Sequence, residues 1–592
     1  MNVGQALRVA GLAGILGVAA LRAFVSIQAQ TVFDVDPARD PMPLLALGPA
    51  GSALLDALLA LAAALALTGE RLAGRGVHAW AVALAMVPAV ALGAHAGDAE
   101  DVFRGLTWLS AMLAFVALAH LVRERTLRVV ALSVLCAVSV PLAARGAVQA
   151  TVEHAATVET YEATREAFLS SRGWTADSSA ARTYERRLRQ AEATGWFTLA
   201  NPFSTVMGVG LLALGFTAWR GWRKGEFALA AGVGASALLA GVLLVVNGSK
   251  GALGATAIAG CVTAALLARS PRGPRGAVAV ACALLVVAAV VARGLVGTSI
   301  GELSLLFRSY YLEASVRMVA MHPLFGAGPA GVQEAFMQVK PPLCPEDVTS
   351  VHSMFVDWVV ALGAAALAWC ALVSAAFRGR VEVEDAATRD GSSVLALRIA
   401  GGTAAAGLVL QAFVEGPAID PASLVLRAFG FALFVGIAAC SARVLEALEG
   451  RAIAAIALGT ATLVLMHCMI ETTAWLPGSM VLAVGLLAAA TTLRPGGSRG
   501  WLAGLVAALP SAVAAVAALL AVQFRALDAR LEEAAGIVRP LAAMRDEFLV
   551  FAESRAAGRA VDAGPLVEAA ADAAQQAVAQ GDAEQLVARL VA

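Results

Sequence analysis

Residues 226–246 read EFALAAGVGASALLAGVLLVV, and residues 252–268 read ALGATAIAGCVTAALLA, with only the connector Asn247-Gly248-Ser249-Lys250-Gly251 between them. Each run has the length of a membrane-spanning helix, roughly 17 to 25 mainly apolar residues. About fifteen such segments occur along the chain, which is 59% hydrophobic and 15% charged, far more apolar than a soluble core of this length requires. We therefore predict an all-α polytopic integral membrane protein with about fifteen transmembrane helices.

Basic residues are distributed unevenly between the two sets of connectors. If the N-terminus is cytoplasmic, the connectors on that side carry 18 Lys and Arg in 62 residues, whereas the opposite connectors carry 12 in 163. This positive-inside asymmetry places two long loops, 148–200 and 294–352, on the outer side, together with the short connector 471–478. Loops as long as the first two usually have a task. The formal net charge is zero, so no general affinity for nucleic acid is indicated.

The outer loop 294–352 contains residue types that suit catalysis. His352 stands at the mouth of the next span, where an imidazole suits a general base, and Asp357 follows five residues later, where it could orient or balance that base. Arg308 and Arg317 lie earlier in the loop. Alternatively, His352 is an interfacial histidine hydrated by water, and both arginines are ordinary loop cations or lipid headgroup contacts.

A third cation, Lys250, falls on the same side of the membrane by this topology. Two fixed cations near a base suit a phosphate-bearing donor, because they stabilise the charge that develops on a departing diphosphate. The loop also contains Gly326-Ala327-Gly328-Pro329, a turn that lets the backbone approach a ligand or simply reverses the chain. Arg189, at the end of a charged helical stretch in the loop 148–200, is a further candidate substrate contact.

These motifs resemble the O-antigen ligase and polymerase family of bacterial envelope glycan enzymes. That family has a Ser-Arg-Gly at an outer helix end, an arginine with nearby aromatics before a Pro-Leu-Phe-Gly-x-Gly-Pro turn, and a His-Asn that opens a membrane helix with an acidic residue five places on. The similar residues here are Ser249-Lys250-Gly251, Arg308, Pro323–Pro329, His352-Ser353 and Asp357. The segment Trp196–Pro202 also resembles the family's Gly-x-Phe-x-Asn-Pro-Asn. Lys250 in place of arginine keeps the charge but loses the bidentate fork, and Ser353 replaces the asparagine.

The resemblance implies a membrane-embedded glycosyltransferase that moves a glycan from undecaprenyl diphosphate to the hydroxyl of a lipid core, another glycan or a protein, with no metal and no cofactor. In that picture His352 activates the acceptor, while Arg308 and Lys250 bind the diphosphate. The candidate substrate-binding residues are Arg317, Gly326, Gly328, Asp357 and Arg189. The expected location is the bacterial inner membrane, among membrane lipids, with a periplasmic active site. Glu346 and Asp347 keep a metal open as an alternative, although adjacent loop carboxylates are usually just solvated.

The resemblance also implies a twelve-span ligase-like core, which about three further C-terminal spans would extend. The predicted organisation comprises N-terminal transmembrane helices (1–147), a periplasmic loop (148–200), central transmembrane helices (201–293), a large periplasmic catalytic loop (294–352), C-terminal transmembrane helices (353–522) and an Ala-rich helical periplasmic tail (523–592).

Polar residues inside the predicted spans indicate a second class of function. Such side chains are costly in lipid and usually face a bundle interior or a cavity. They are Asp56, His120, Arg398, Arg427 and His467. A transporter or flippase of a lipid-linked or anionic substrate would use them, although no pair of Gly/Pro-broken helices and no inverted repeat supports that class. A non-catalytic relative of the enzyme is a third possibility, which Lys250 keeps open.

Overall fold

The computed structural model describes residues 2–27, 46–268, 304–377, 391–416, 421–491, 493, 497, 504 and 506–530, and every helix or strand assigned within them is a helix. The predicted span 276–293 and the part of the predicted tail beyond residue 530 lie outside these residues. In chain order, the helices are α1 (Val3–Phe24), α2 (Pro49–Leu72), α3 (Ala79–Met86), α4 (Ala89–Ala94), α5 (Ala99–Leu121), α6 (Arg125–Ala137), α7 (Ser139–Val148), α8 (His154–Ser171), α9 (Ser179–Leu188), α10 (Ala200–Val209), α11 (Gly215–Arg223), α12 (Phe227–Val246), α13 (Lys250–Leu267), α14 (Ser304–Met321), α15 (Val332–Val339), α16 (Met354–Leu362), α17 (Ala366–Ala376), α18 (Ser392–Glu415), α19 (Pro421–Glu446), α20 (Gly450–Cys468), α21 (Pro477–Ala489) and α22 (Val506–Arg530).

Within the described residues, 12 helices are long and apolar enough to cross a membrane when helices joined by a short irregular turn are counted together. Each coincides with one of the predicted spans. Two further predicted spans, 78–95 and 479–493, correspond to shorter apolar helices. The chain is therefore a multi-pass membrane protein whose described residues form no strand. The total of fifteen spans and the side on which each loop lies remain predictions.

Two segments differ from the predicted spans for clear physical reasons. The span 78–95 is divided into α3 and α4 because Pro88 has no amide hydrogen to continue the first helix. The span 479–493 is instead the 13-residue helix α21, whose residues Gly478–Ala489 are all buried among α1, α5, α6 and α20. At 1.5 Å per residue, α21 rises about 20 Å, less than the roughly 30 Å of a hydrocarbon core.

The connector that precedes α21 is packed against the rest of the protein. Residues 471–478 are predicted to form an outer connector, and within it Glu471–Trp475 are buried by neighbouring protein. A carboxylate and irregular backbone are tolerated there because surrounding protein groups supply their hydrogen bonds. This turn between α20 and α21 becomes the centre of the candidate site.

The two long predicted loops contain helices of their own. After a single π-helical turn, α7 continues into α8, and α9 follows, so the loop 148–200 contains a helical hairpin. We call α8, α9 and the residues that join them, 154–188, the cap. The described part of the loop 294–352 contains α14 and α15. The site and the cap both lie in one compact unit, Met1–Ile27 with Leu55–Ala517, whereas the described residues 46–54 and 518–530 belong to a second.

Most of the polar residues noted within the spans have partners inside the bundle. Arg22 of α1 pairs with Asp56 of α2, and Thr107 of α5 donates a hydrogen bond to the same carboxylate at 2.7 Å; all three are buried. The other partners are Glu415 for Arg427, the His78 amide for His120 and the Thr205 hydroxyl for His467, while Arg398 is exposed. Removing one member of a buried ion pair typically costs about 3–5 kcal/mol, so the Arg22–Asp56 pair has a structural role.

Candidate functional site

The polar turn Ile470-Glu471 lies where the ends of α13, α14, α16 and α20 meet. Arg308 of α14 donates to the Ile470 carbonyl oxygen from Nε at 3.1 Å and from Nη2 at 2.8 Å, and Nη2 lies 2.7 Å from Glu471 Oε1. The second carboxylate oxygen, Oε2, lies 3.8 Å from His352 Nδ1. Glu471 is therefore hydrogen-bonded to Arg308 through one oxygen and faces His352 with the other, at an ion-pair distance that is too long for a hydrogen bond.

The charge of Glu471 is stabilised by these neighbours. Burial alone would raise the pKa of the Glu471 carboxyl, but His352 and Arg308 beside it lower that pKa below its usual value. The carboxylate is therefore ionised at neutral pH, although its side chain is only 9% exposed. A fixed negative charge consequently lies between a guanidinium and an imidazole.

Lys250 is the first residue of α13, and its neighbour Gly251 packs against the same turn. Ser249 caps α13 and donates from Oγ to Asn201 Oδ1 at 3.0 Å, which connects the Ser-Lys-Gly motif to the Trp196–Pro202 segment. A Cβ on Gly251 would lie 2.9 Å from Ile470 Cδ1 and 3.2 Å from His467 Nε2. Glycine at position 251 thus allows α13 to begin directly against the turn that Arg308 binds. Lys250, the first residue of α13, is exposed and directly follows the N-cap residue Ser249.

His352 has an unusual backbone, which Asp357 holds in place. Its φ of 59° lies in the left-handed region, and no other non-glycine residue of the described chain has a positive φ. The buried Asp357 carboxylate accepts from the Val351 amide at 2.7 Å, the Ser353 amide at 3.1 Å and Ser350 Oγ at 2.9 Å. The His352 amide in turn donates to Ser350 Oγ at 3.0 Å. The sequence suggested that Asp357 could orient His352, and the structure shows a carboxylate that binds the backbone on both sides of it.

The imidazole of His352 also has an aromatic neighbour. The Tyr311 ring stacks on it, with 5.5 Å between centroids and 20° between planes. The Tyr311 hydroxyl hydrogen-bonds to the Glu346 carboxylate. Burial raises the pKa of Tyr311, and Glu346 raises it further, so the hydroxyl stays protonated and donates. Tyr311 and Asp357 together restrict His352 to one orientation, with its side chain 28% exposed.

The glycine turn that follows α14 packs against the end of α16. The Ala327 amide donates to the Val360 carbonyl at 2.9 Å and the Gly328 amide to the Ala361 carbonyl at 3.0 Å, so the turn satisfies carbonyls that the end of α16 leaves free. A Cβ on Gly326 would lie 2.3 Å from the Ala361 carbonyl carbon, and one on Gly328 would lie 2.5 Å from the Asp101 carboxylate. Packing alone therefore explains why both positions are glycine, without a bound ligand. The same contacts fix the position of α16, the helix that His352 precedes.

The remaining predicted residues lie apart from the contacts around Glu471. Arg317 is exposed, pairs with Glu313 and donates to the Val339 carbonyl at 3.2 Å. Arg189 is exposed at the end of α9, in the cap region.

Glu346 and Asp347, the loop carboxylates that could have bound a metal, have separate partners. Glu346 bonds to Tyr311, and Asp347 lies 2.6 Å from Lys340 Nζ. No group of three or more His, Cys, Asp or Glu side chains is arranged to hold a metal within the part of the chain that the structure describes.

Sequence reasoning missed Glu471, which connects the two central residues of the cluster. Its connector, Glu471–Gly478, contains no other charged residue and was treated only as a short link between spans. The available signal was a single carboxylate on the side of the membrane where Arg308, Lys250 and His352 were predicted. Such a carboxylate has a natural partner in a cation, but the sequence did not show which one.

The fold and this cluster define a multi-pass helical membrane protein with a charged site at the ends of several helices. Residues 235–370 match the O-antigen ligase family, and this segment includes Lys250, Arg308, the glycine turn, His352 and Asp357. The resemblance predicted from the motifs is thereby confirmed. The match supports glycan transfer of the ligase or polymerase kind, with lipid-linked glycan and acceptor substrates in general. No curated protein and no solved structure matches the chain.

Proposed function

We propose that this protein is a glycosyltransferase of the O-antigen ligase type that moves a glycan from undecaprenyl diphosphate to an acceptor hydroxyl, on the periplasmic side of a bacterial inner membrane. The observation that carries the proposal is the Glu471 carboxylate, which hydrogen-bonds to the guanidinium of Arg308 with one oxygen and lies 3.8 Å from the imidazole of His352 with the other. The family match supports the class of reaction, and the cluster supports where in the chain it occurs.

His352 is the proposed general base. The acceptor hydroxyl oxygen attacks the anomeric carbon of the glycan, the bond from that carbon to the diphosphate oxygen breaks, and undecaprenyl diphosphate leaves with the bonding electrons. The hydroxyl proton passes to His352. Since Nδ1 faces Glu471, the proton goes to Nε2, and the carboxylate at 3.8 Å offsets the positive charge that the ring acquires.

Arg308 and Lys250 are the proposed diphosphate ligands. Arg308 is already fixed by the Ile470 carbonyl and by Glu471, so its charge needs little reorganisation when the diphosphate departs. Lys250 extends from the amino end of α13, where the helix dipole adds a partial positive charge. Lysine supplies this charge as a point rather than as the planar fork of an arginine.

The other predicted residues take supporting roles in this proposal. Asp357, Gly326 and Gly328 position the His352 turn and α16 through the contacts described above. Arg317 and Arg189, which are exposed and lie apart from those contacts, are proposed to meet outlying parts of the two substrates. The reaction is proposed to need no metal, since cations of the protein itself would neutralise the departing diphosphate.

A transfer assay with the purified chain, a purified undecaprenyl-diphosphate glycan and an envelope acceptor fraction tests this function. We expect a new glycosidic product that persists in excess chelator and is lost in His352→Ala and in Arg308→Ala. His322→Ala is the matched control, because His322 is an exposed histidine of the same loop. Intact transfer in both site variants would overturn the site. Movement of the donor across a bilayer without a new glycosidic bond would instead establish a transporter.

A further inference from the structure

The cap contains a cluster of aromatic side chains. Phe168 of α8 stacks on Tyr184 of α9, with 4.9 Å between centroids and 28° between planes, and Trp174 approaches both rings at 6.4 and 6.1 Å. Glu185 of α9 links α8 to α9, because its carboxylate lies 2.7 Å from Arg165 Nε and accepts a hydrogen bond from the Tyr161 hydroxyl at 3.0 Å. The rings are therefore held in fixed positions.

One side of this cluster opens into a surface pocket of about 390 Å³. Trp174 and Tyr184 supply aromatic surface, Ser179 and Thr183 supply hydroxyl groups, and Arg187 supplies a guanidinium. Arg172 lies over the Trp174 ring at 5.9 Å and is not among the residues that line the pocket. The volume falls within the range of small-ligand sites, roughly 300–1,000 Å³.

This combination of groups suits a saccharide. A sugar ring has a face of C–H groups, which carry partial positive charge and pack against the negative face of an aromatic ring. It also has an edge of hydroxyl groups, which exchange hydrogen bonds with serine, threonine and arginine side chains. A purely apolar ligand would leave the hydroxyls and the guanidinium unused, and a simple anion would leave the aromatic surface unused.

The chain that returns from the cap leads directly to the candidate active site. The Ala193 amide donates to Asn247 Oδ1 at 2.6 Å, three residues before Lys250. The Asn247 side-chain amide donates to Ser204 Oγ at 2.8 Å and to the Ala200 carbonyl at 3.1 Å. The segment after the cap, which includes Ala193, is thus hydrogen-bonded to the connector that precedes α13. This connector lies on the same side of the bundle as the transfer site.

We propose that the cap pocket is a glycan-binding subsite, which holds a sugar of the donor or acceptor chain away from the reacting bond. This inference rests on the proposed function for the identity of the ligand, but binding at the cap requires neither His352 nor Arg308. A subsite on the cap holds part of a long glycan while the reacting atom of that glycan, the anomeric carbon of a donor or the hydroxyl of an acceptor, lies at the cluster, so the subsite contributes to recognition rather than to chemistry.

Direct binding to the full-length chain in lipid nanodiscs tests the proposal, with two lipid-free probes prepared by mild acid hydrolysis from the envelope of the cells that make the protein. One probe is the long polysaccharide and the other is the short oligosaccharide fraction, so the arm that binds identifies the source of the sugar. The variants are Trp174→Ala and Arg187→Ala, and His352→Ala reports on the transfer site. Trp219→Ala is the control, because Trp219 is an exposed tryptophan outside the cap that also has an arginine, Arg223, over its ring at 5.8 Å.

We expect saturable binding of at least one probe, weakened about five- to tenfold in Trp174→Ala and in Arg187→Ala and unchanged in Trp219→Ala and His352→Ala. Arg187 is exposed, so its variant keeps the test valid if Trp174→Ala unfolds the cap. Absence of binding of both probes to the wild-type chain, equal binding by Arg187→Ala and wild type, or equal weakening in Trp219→Ala would overturn the subsite. Binding without any transfer activity would refute the proposed enzyme and leave the subsite standing.

Discussion

Replacing Glu471 by glutamine removes the charge that joins Arg308 to His352 and keeps nearly the same shape. In the wild-type chain one carboxylate oxygen lies 2.7 Å from Arg308 Nη2 and the other 3.8 Å from His352 Nδ1. A hydrogen bond to a charged group contributes roughly 1.5–3 kcal/mol. Each 1.4 kcal/mol corresponds to about a tenfold change in rate, so we expect Glu471→Gln to slow glycan transfer by about 10- to 150-fold.

Initial rates of transfer by the purified chain in nanodiscs, at saturating donor, measure this effect. Glu313→Gln is the matched control, since Glu313 pairs with an arginine of the same helix α14 but is 49% exposed. An exposed pair contributes only about 0–1 kcal/mol, so this variant should remain close to wild type. Glu471→Asp should recover part of the rate because it restores the charge. Equal rates for Glu471→Gln and Glu313→Gln would refute the role given to the buried carboxylate.

Three further predictions concern the supports of the site. Asp357→Asn should lower the maximal transfer rate by about tenfold or more with little change in donor affinity. The side-chain amide of asparagine has only one acceptor oxygen, so it cannot accept all the hydrogen bonds that hold the His352 turn. A selective loss of donor affinity would contradict this prediction. Gly326→Ala should lower the thermal unfolding temperature, because Gly326 has a φ of 71° and an added Cβ would clash with the backbone of α16. Gly401→Ala is the control and should leave that temperature unchanged, because no atom lies within 4 Å of a Cβ built at Gly401 in α18. Equal effects of the two substitutions would refute the packing argument. Burial alone would raise the pKa of Glu471, but the neighbouring imidazole and guanidinium lower it, so its contribution to stability should be complete above about pH 4.3 and disappear as the pH falls through the lowered pKa. Thermal unfolding of wild type and Glu471→Gln as a function of pH should converge at the acidic end, and a constant difference would disprove the linkage.

Most of the bundle could be predicted because a helix facing lipid must be both apolar and long. For α21 the pattern is ambiguous, because Gly478–Ala489 is apolar and every one of these residues is also buried in protein. Hydropathy does not distinguish burial in protein from contact with lipid. The structure adds the length of α21, 13 residues, which is shorter than the length that spans a hydrocarbon core upright.

The candidate site was predictable in its cations and its histidine but not in what joins them. Lys250, Arg308 and His352 stand in recognisable motifs, whereas Glu471 lies far along the chain, and only the fold places it beside Arg308 and His352. The glycine turn was ambiguous for a related reason. The small size of Gly326 allows a close approach of either a ligand or another helix, and only the structure shows that α16 occupies that space.

The most direct test of the account is the single-turnover rate of glycan transfer by His352→Ala, measured together with its affinity for the lipid-linked donor. A positioned general base contributes about 10²- to 10⁴-fold, so the account predicts a rate at least about 100-fold below wild type with donor affinity unchanged. Transfer by His352→Ala at the wild-type rate would contradict the claim that His352, Arg308 and Glu471 form the transfer site.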